Sequence, residues 1–367
     1  MTGPDIIVVG GGIAGTSVAA TLASNARVVL IEAEPQPGYH ATGRSAAIFI
    51  RNYGNAVLRA LNAASAPVLH EPEGISETPL LSPRGQMLIA SEDEMPALES
   101  YAQGAAGLER LTSAEVVSLV PILRPETIAA GVVEWDAQDI DVDRMLRGYI
   151  RLLCDRGGEI MLGGPVTGIT RANGTWCVTT KAGTWSAPIV INAAGGWADT
   201  LARMAGLAPI GLTPMRRSAA LLNAPQGFEI DKWPLFASAS ESWYAKPDAG
   251  RLLVSPADED PVEPHDVWPD DMVIAEGLDR FEQAVTIPLS RPSHSWAGMR
   301  SFVADRTPAV GFDPTTTGFF WLAGQGGYGV QTAPALAEIA AALCLGRPSP
   351  VTPPILNALS PERFRKT

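Results

Sequence analysis

Hydrophobic residues make up 46% and charged residues 18% of this 367-residue chain, the balance of a globular protein with room for two intertwined domains. A formal net charge of −12 without basic clusters argues against nucleic acid as a partner. No apolar run approaches the roughly 20 residues of a bilayer span, the first strand begins too early for a signal peptide, and Cys154, Cys177, Cys344 and the four histidines (His40, His70, His265, His294) have neither disulfide nor metal-ligand spacing. The expectation is a cytoplasmic protein without a metal site.

The chain opens on Asp5-Ile-Ile-Val-Val-Gly-Gly-Gly-Ile-Ala-Gly15. The apolar run at 6–9 reads as a buried parallel strand. It meets Gly10, Gly12 and Gly15 at G-x-G-x-x-G spacing, residues 16–26 read as a helix, and a second strand over 27–31 ends at Glu32. Gly10 permits the tight turn, Gly12 admits a pyrophosphate, Gly15 lets helix and strand close up, and the helix N-terminus offers free N–H groups. Glu32 is placed to accept from a ribose diol and argues against a 2′-phosphate. Glycines at this spacing also serve ordinary turns; the complete βαβ context carries the dinucleotide reading.

Residues 35–47 form a loop of glycines and small polar residues with donors at His40, Thr42, Arg44 and Ser45. Gly43-Arg44-Ser45 leads toward a small-residue helix near Ser45, which reads as a second cradle for phosphate or ring. Residues 55–70 carry Val57, Leu58, Leu61, Val68 and Leu69 at amphipathic-helix positions. Then follow a strand-like stretch at 79–90, two acidic surface helices over 92–119, a strand at 131–135 and a helix over 141–153 with Met145, Leu146 and Ile150 on its apolar face. Short strands at 159–162, 166–171, 176–180 and 183–185 read as a β-meander.

A second junction follows, in which the strand 189–191 runs into Asn192-Ala-Ala-Gly-Gly-Trp197 and a helix. Its backbone is expected close beneath a cofactor. From 210 to 303 the chain is strand-rich, with a helix near 270–284, as for an antiparallel sheet walling a substrate cavity. A third junction, Gly318-Phe-Phe-Trp-Leu-Ala-Gly-Gln-Gly-Gly-Tyr-Gly-Val-Gln331, precedes an apolar helix over 333–345 whose positive end faces the same place. Three such junctions and no second G-x-G-x-x-G with its own acid point to one extended cofactor, FAD rather than NAD.

Several stretches are more specific: Gln36-Pro-Gly-Tyr-His-Ala-Thr-Gly-Arg-Ser-Ala-Ala47, Leu80-Leu-Ser-Pro-Arg84, Lys246-Pro-Asp-Ala-Gly250, Trp296-Ala-Gly-Met-Arg-Ser-Phe-Val-Ala-Asp305 and Gln325-Gly-Gly-Tyr-Gly329. Over residues 5–345 the chain resembles the D-amino-acid oxidase (DAO) family of flavoproteins, with its glycine and sarcosine oxidases, and most of all its bacterial D-arginine dehydrogenase branch. The resemblance implies an α/β fold, with a Rossmann-like FAD-binding domain of glutathione-reductase type (1–78, 136–209, 304–367) and an interleaved α+β substrate domain on an antiparallel or mixed sheet (79–135, 210–303). With no cysteine near the usual attachment region, the FAD is expected to be noncovalent.

Carried over by position, FAD would contact Gly10, Gly12, Ile13, Ala14, Gly15, Glu32 and Ala33, the loop Thr42, Gly43, Arg44, Ser45, Ala46 and Ala47, then Val166, Ala193, Ala194, Gly195 and Trp197. Its ring would meet Arg300, Gly326, Gly327, Tyr328, Gly329, Val330 and Gln331. The family's substrate residues fall on Tyr53, Arg217, Tyr244, Arg300 and Gln325, with the two arginines on the carboxylate and the Gly298 carbonyl on the amine. Arg217 by itself reads as a surface strand residue. Where the arginine-specific branch has an acid, this chain has Gln86, and where it has histidine and threonine it has Ile48 and Ile50. A pocket without the acid has little reason to desolvate a cation, so the expected reaction is oxidative deamination of a neutral, apolar D-amino acid to the 2-oxo acid and ammonia, with hydride passing from Cα to flavin N5. The alternatives are oxidation of a secondary amine or imino acid, and a non-catalytic binding protein on the same fold. The electron acceptor stays open among oxygen, a quinone and others.

Overall fold

The computed structural model describes residues 3–364. At its centre, the run Ile6–Val9 is buried on both faces, as a strand covered by helices on either side must be. It pairs in parallel with Val28–Ile31 and Ile189–Asn192. Outside these lie Glu159–Met161 on one edge and Phe319–Ala323 with Ala309–Phe312 on the other, only the last running antiparallel. All three glycine junctions therefore leave the C-terminal ends of adjacent parallel strands, where α/β sheets bind ligands.

The helices Ile13–Leu22, Ala56–His70, Val142–Asp155 and Gly329–Cys344 bury their apolar sides on one face of this sheet, around Val8, Leu22, Leu58, Phe320 and Leu336. The meander Val166–Ala172, Thr175–Thr180 and Gly183–Ala187 covers the other face through Ile169, Trp176 and Val178. A nine-stranded sheet stands apart, its long strand Thr213–Asn223 pairing with Arg251–Ser255, Asp260–Pro261 and His294–Phe302. That sheet is antiparallel except where Leu235–Ser238 runs beside Gln86–Ala90. Its far side packs on the helix Asp271–Ala284 around Phe236, Trp243 and Phe281.

Several expectations change in detail. No helix follows Ser45; residues 45–47 are irregular and lead to the short strand Ile48–Phe49. The 92–119 region holds the helices Met95–Ala102 and Ser113–Leu119 with a strand, Glu109–Leu111, between them. The 79–90 stretch breaks at Gly85 (φ 78°) into Leu81–Pro83 and Gln86–Ala90. Leu81–Pro83 pairs with Gln138–Ile140 and not with the large sheet, so that strand crosses the expected division between the two domains.

Close packing at the first junction leaves no room for a side chain at 15. A Cβ there would stand 1.8 Å from the Gly10 carbonyl oxygen. Gly15→Ala is therefore expected to lower stability by roughly 1–3 kcal/mol or more, read as a lower urea midpoint at unchanged m-value.

Candidate active site

Backbone, not side chains, shapes the first part of the site. Gly10 turns with φ 115°, and a Cβ on it would stand 2.3 Å from the Ala193 carbonyl oxygen, so two junctions meet there. Glu32 accepts from the Gly11 N–H and, at 2.8 Å, from the Glu34 N–H. Thr42 accepts from the Ile13 N–H at 3.0 Å, tying the 35–47 loop to the start of a helix whose own N-cap, Gly12, has no side chain to offer. A groove of about 380 Å³ runs from Gly10, Gly12, Ile13, Ala14, Glu32 and Ala33 past Thr42 and Val166, over Ala193, Ala194, Gly195 and Trp197, to Gly326 and Gly329. Small residues, an acid at one end and helix N-termini along its length fit an extended dinucleotide.

Not every residue expected on the cofactor lines this groove. Gly15 and Gly43 lie outside the cavity linings and serve packing, the Gly43 N–H bonding the Gly38 carbonyl at 2.8 Å. Arg44 borders a cavity, but its guanidinium is committed to Asp266 and to the carbonyls of Val267 and Ala297, both at 3.0 Å. It is a clamp between loops instead of a phosphate ligand. Gln331 gives its amide to protein partners, accepting from the Ile50 N–H at 3.0 Å and donating to Asn62 at 2.9 Å.

A cavity of about 90 Å³ continues from the groove past Ser45, Ala46, Gly298, Gly327 and Val330. It opens into a chamber of about 440 Å³ holding Ala47, Ile48, Ile50, Tyr53, Gln86, Arg217, Tyr244, Arg300 and Tyr328. Gln325 is not in this chamber: it lines the cofactor groove and donates to the Leu322 carbonyl at 3.0 Å.

Strand register brings the arginines together. Arg217 stands opposite Gly298 and Met215 opposite Arg300 in the antiparallel pair of Thr213–Asn223 and His294–Phe302. With side chains alternating along each strand, Arg217 and Arg300 share one face as diagonal neighbours, and the Arg44 side chain lies over Gly298, 3.3 Å from where a Cβ would stand. The two differ in partners. Arg217 is buried and bonds the Asp258 carbonyl at 2.8 Å and Glu259 at 2.9 Å; burial and the nearby Arg300 push its pKa below the usual arginine value. Arg300 has no hydrogen-bonded or ion-paired partner among the described residues. Burial opposes its charge, yet Tyr53, Tyr244, Glu241 and Glu259 nearby hold its pKa above the ordinary value. Burial also raises the pKa of Tyr53, keeping that hydroxyl a donor.

Supporting residues were not legible in the sequence. Glu259 binds Arg217 and, at 2.8–2.9 Å, both terminal nitrogens of Arg306. Burial works against its charge, but Arg306 and Arg217 keep its pKa low. Lys246 donates to the Ala46 carbonyl at 2.8 Å and to Asp139 at 2.7 Å, while Arg84 takes the other Asp139 oxygen at 2.7 Å. Two of the family-like stretches thus meet on one acid to hold the loop beside the ring site. Of the six non-glycine residues with positive φ among those described, Ala47, Glu241 and Ala257 border the chamber, the concentration of backbone strain expected at a working site.

A family model described as FAD dependent oxidoreductase (DAO) matches residues 5–343. Glycine oxidase of Bacillus licheniformis is 25% identical over 357 residues, 94% of this chain and 94% of that protein. L-2-hydroxyglutarate dehydrogenase of Escherichia coli K12 is 27% identical over 220 residues, 56% of this chain and 50% of its own. The chain spans half or less of the length of the first curated relatives it matches. Among solved structures, the L-proline dehydrogenase of P. horikoshii superposes with a TM-score of 0.83 at 22% identity, covering 98% of this chain and 97% of that one, a likeness of fold. Among the described residues there is no helix long and apolar enough to cross a membrane, and no cluster of His, Cys, Asp and Glu that could hold a metal ion.

Removing the acid that closes the groove tests its cofactor role. Glu32→Ala deletes the expected ribose acceptor and strands two backbone N–H groups, so FAD affinity is expected to fall by about tenfold or more, measured by fluorescence titration of the apoprotein.

Proposed function

This chain belongs to the DAO family of FAD-dependent oxidoreductases, and from that premise we propose that it deaminates a neutral, predominantly apolar D-amino acid oxidatively, giving the 2-oxo acid and ammonia. The observation that carries this reading is Arg300: a guanidinium without a protein acid, between two tyrosines, where the cofactor groove opens into a largely apolar chamber. A half-buried cation of this kind calls for an anion from outside, and a planar carboxylate matches its fork.

Bound FAD supplies the acceptor for the hydride leaving Cα, and the protein orients the substrate toward it. Arg300 takes the carboxylate, and Arg217, already partly neutralised by Glu259, adds a second donor. Tyr53 and Tyr244 close over the carboxylate, and the Gly298 carbonyl accepts from the amine. An amine that binds uncharged needs no protein base. The Gly329–Cys344 helix starts beside the ring site with no side-chain cap, so its N-terminus stabilises negative charge developing there. We take the 1–78, 136–209 and 304–367 segments as the FAD-binding domain and the rest as the substrate domain. We take the FAD as noncovalent, since no cysteine lines any of the three cavities. Three unpaired cysteines favour the cytoplasm.

The chamber's apolar walls support a neutral side chain, with the charged Glu241 and Arg59 also at its border. Ile48, Ile50, Leu88 and Leu235 form apolar walls around Gln86. The acid paired across from Gln86, Glu134, shares its face of the sheet but does not line the chamber, its carboxylate accepting from the Arg51 N–H and the Asn52 amide. A second reading, a secondary amine or imino acid, uses the same carboxylate clamp. It draws support from the likeness to a glycine oxidase and an L-proline dehydrogenase.

Anaerobic bleaching of the flavin by a panel of D- and L-amino acids, sarcosine and proline separates these readings. D-leucine or D-phenylalanine is expected to bleach fastest. Equal kcat/KM on D-arginine removes the neutral preference, faster reaction of sarcosine or proline favours the second reading, and a flavin bleached by none favours a binding protein. Arg300→Met is expected to retain FAD and lose about 100-fold or more in kcat/KM, about 3 kcal/mol; near-normal turnover would remove Arg300 from the site. Acid precipitation is expected to leave the flavin in the supernatant.

A further inference from the structure

The two chamber residues Ile50 and Tyr53 sit in a turn that lacks regular secondary structure, so something else must set their position. Asn62, fully buried in the helix Ala56–His70, donates to three carbonyls of that turn: Ile50 at 3.2 Å, Arg51 at 3.3 Å and Tyr53 at 3.0 Å. Its own oxygen accepts from Gln331 at 2.9 Å, and Gln331, also buried, accepts the Ile50 N–H at 3.0 Å. From the opposite side Glu134 accepts the Arg51 N–H at 2.9 Å and the Asn52 amide at 2.7 Å. Gln331 belongs to the first turn of the helix Gly329–Cys344, whose leading residues Gly329 and Val330 border the cofactor ring's site.

We infer that the buried Asn62–Gln331 pair is a positioning device: it ties the substrate-facing turn at Ile50–Tyr53 to the helix that carries the cofactor's ring, and so sets the Tyr53 hydroxyl relative to Arg300. The geometry is specific to this task. One amide reaches three carbonyls of the turn, of which the Ile50 carbonyl also accepts from the Tyr53 N–H at 3.3 Å, and the second fixes which way the first amide faces. Every polar atom of the two side chains has a protein partner, and Asn62 lies outside the chamber that Gln331 borders, so Asn62 acts through the turn. Fully satisfied networks of this kind select one conformation, and misplacement of a positioning group is felt in substrate binding far more than in cofactor binding. The inference rests on the proposed reading of the chamber as the substrate site.

The test uses FAD-loaded protein with Asn62→Leu, Asn62→Ser and Gln331→Met, alone and combined with Tyr53→Phe. Asn62→Leu is expected to raise KM for the best substrate by about tenfold with kcat changed by less than about threefold, and FAD affinity within about twofold. Asn62→Ser, which keeps one donor, should recover part of the loss. In the Tyr53→Phe background the effect of Asn62→Leu should shrink, because the two act through one contact. Independent, multiplicative effects, or a lower melting temperature with unchanged KM, would overturn the inference. If Asn62→Leu does not accumulate as holoprotein, hydrogen exchange in the wild type and in Gln331→Met decides. The Ile50 amide should be strongly protected in the first and about tenfold faster in the second; equal rates would overturn it. Benzoate, titrated as a carboxylate probe by the flavin absorbance shift, separates failure of this inference from failure of the functional reading. A flavin that no amino acid bleaches sinks the reading alone, while benzoate affinity unchanged by Gln331→Met sinks the positioning role.

Discussion

A guanidinium without a protein carboxylate is the constraint around which the site is arranged. Arg300 is held on the His294–Phe302 strand, between Tyr53 and Tyr244, with Glu259 engaged instead by Arg217 and Arg306. Its charge is tolerated because Tyr53, Tyr244, Glu241 and Glu259 nearby offset the desolvation. That charge is available to an incoming anion. Glu259 therefore has two effects. It allows a second arginine to stand close to the first, and it prevents the pair from becoming a doubly charged trap for any anion.

Around this cation the protein spends its buried polar groups on loops, not on ligands. Arg44 clamps the 35–47 loop to Asp266 and two carbonyls. Lys246 and Arg84 hold the Ala46 region through Asp139, and Asn62, Gln331 and Glu134 hold the turn at 50–53. These connections run between segments remote in sequence, and they place irregular backbone within reach of a cofactor and a substrate. Irregular backbone has no ladder of its own, so side-chain amides, carboxylates and cations supply its missing partners.

Much of the cofactor half was legible in the chain itself. A continuous apolar run, glycines at fixed offsets and a terminal acid are local signals, and each corresponds to a steric fact: a side chain at 10, 11 or 15 would collide with Ala193, Glu32 or Gly10. Helices with clear periodicity, at Ala56–His70, Val142–Asp155 and Asp271–Ala284, fall within a residue or two of expectation. The short strands Ile48–Phe49, Gln138–Ile140 and Leu235–Ser238 escaped notice because two to four residues are too few to show a period. The expected helix after Ser45 failed for a different reason. Small residues there suited a helix, but tertiary partners on Ala46 and Ala47 hold the chain open.

By itself the sequence determined the family, the parallel sheet with its three glycine junctions, and the side-chain types that bring a carboxylate site to mind. Tertiary structure alone decided which arginine is free and which is paired, that Gln325 faces the cofactor groove and not the substrate chamber, and that Gln331 and Arg44 serve the scaffold. The physical reason is that local patterns record backbone sterics and burial, which act over a few residues. The partner of a charged or amide side chain is instead set by strand register and loop closure, here between positions such as 62 and 331 or 44 and 266, and no local pattern encodes a distance of that kind.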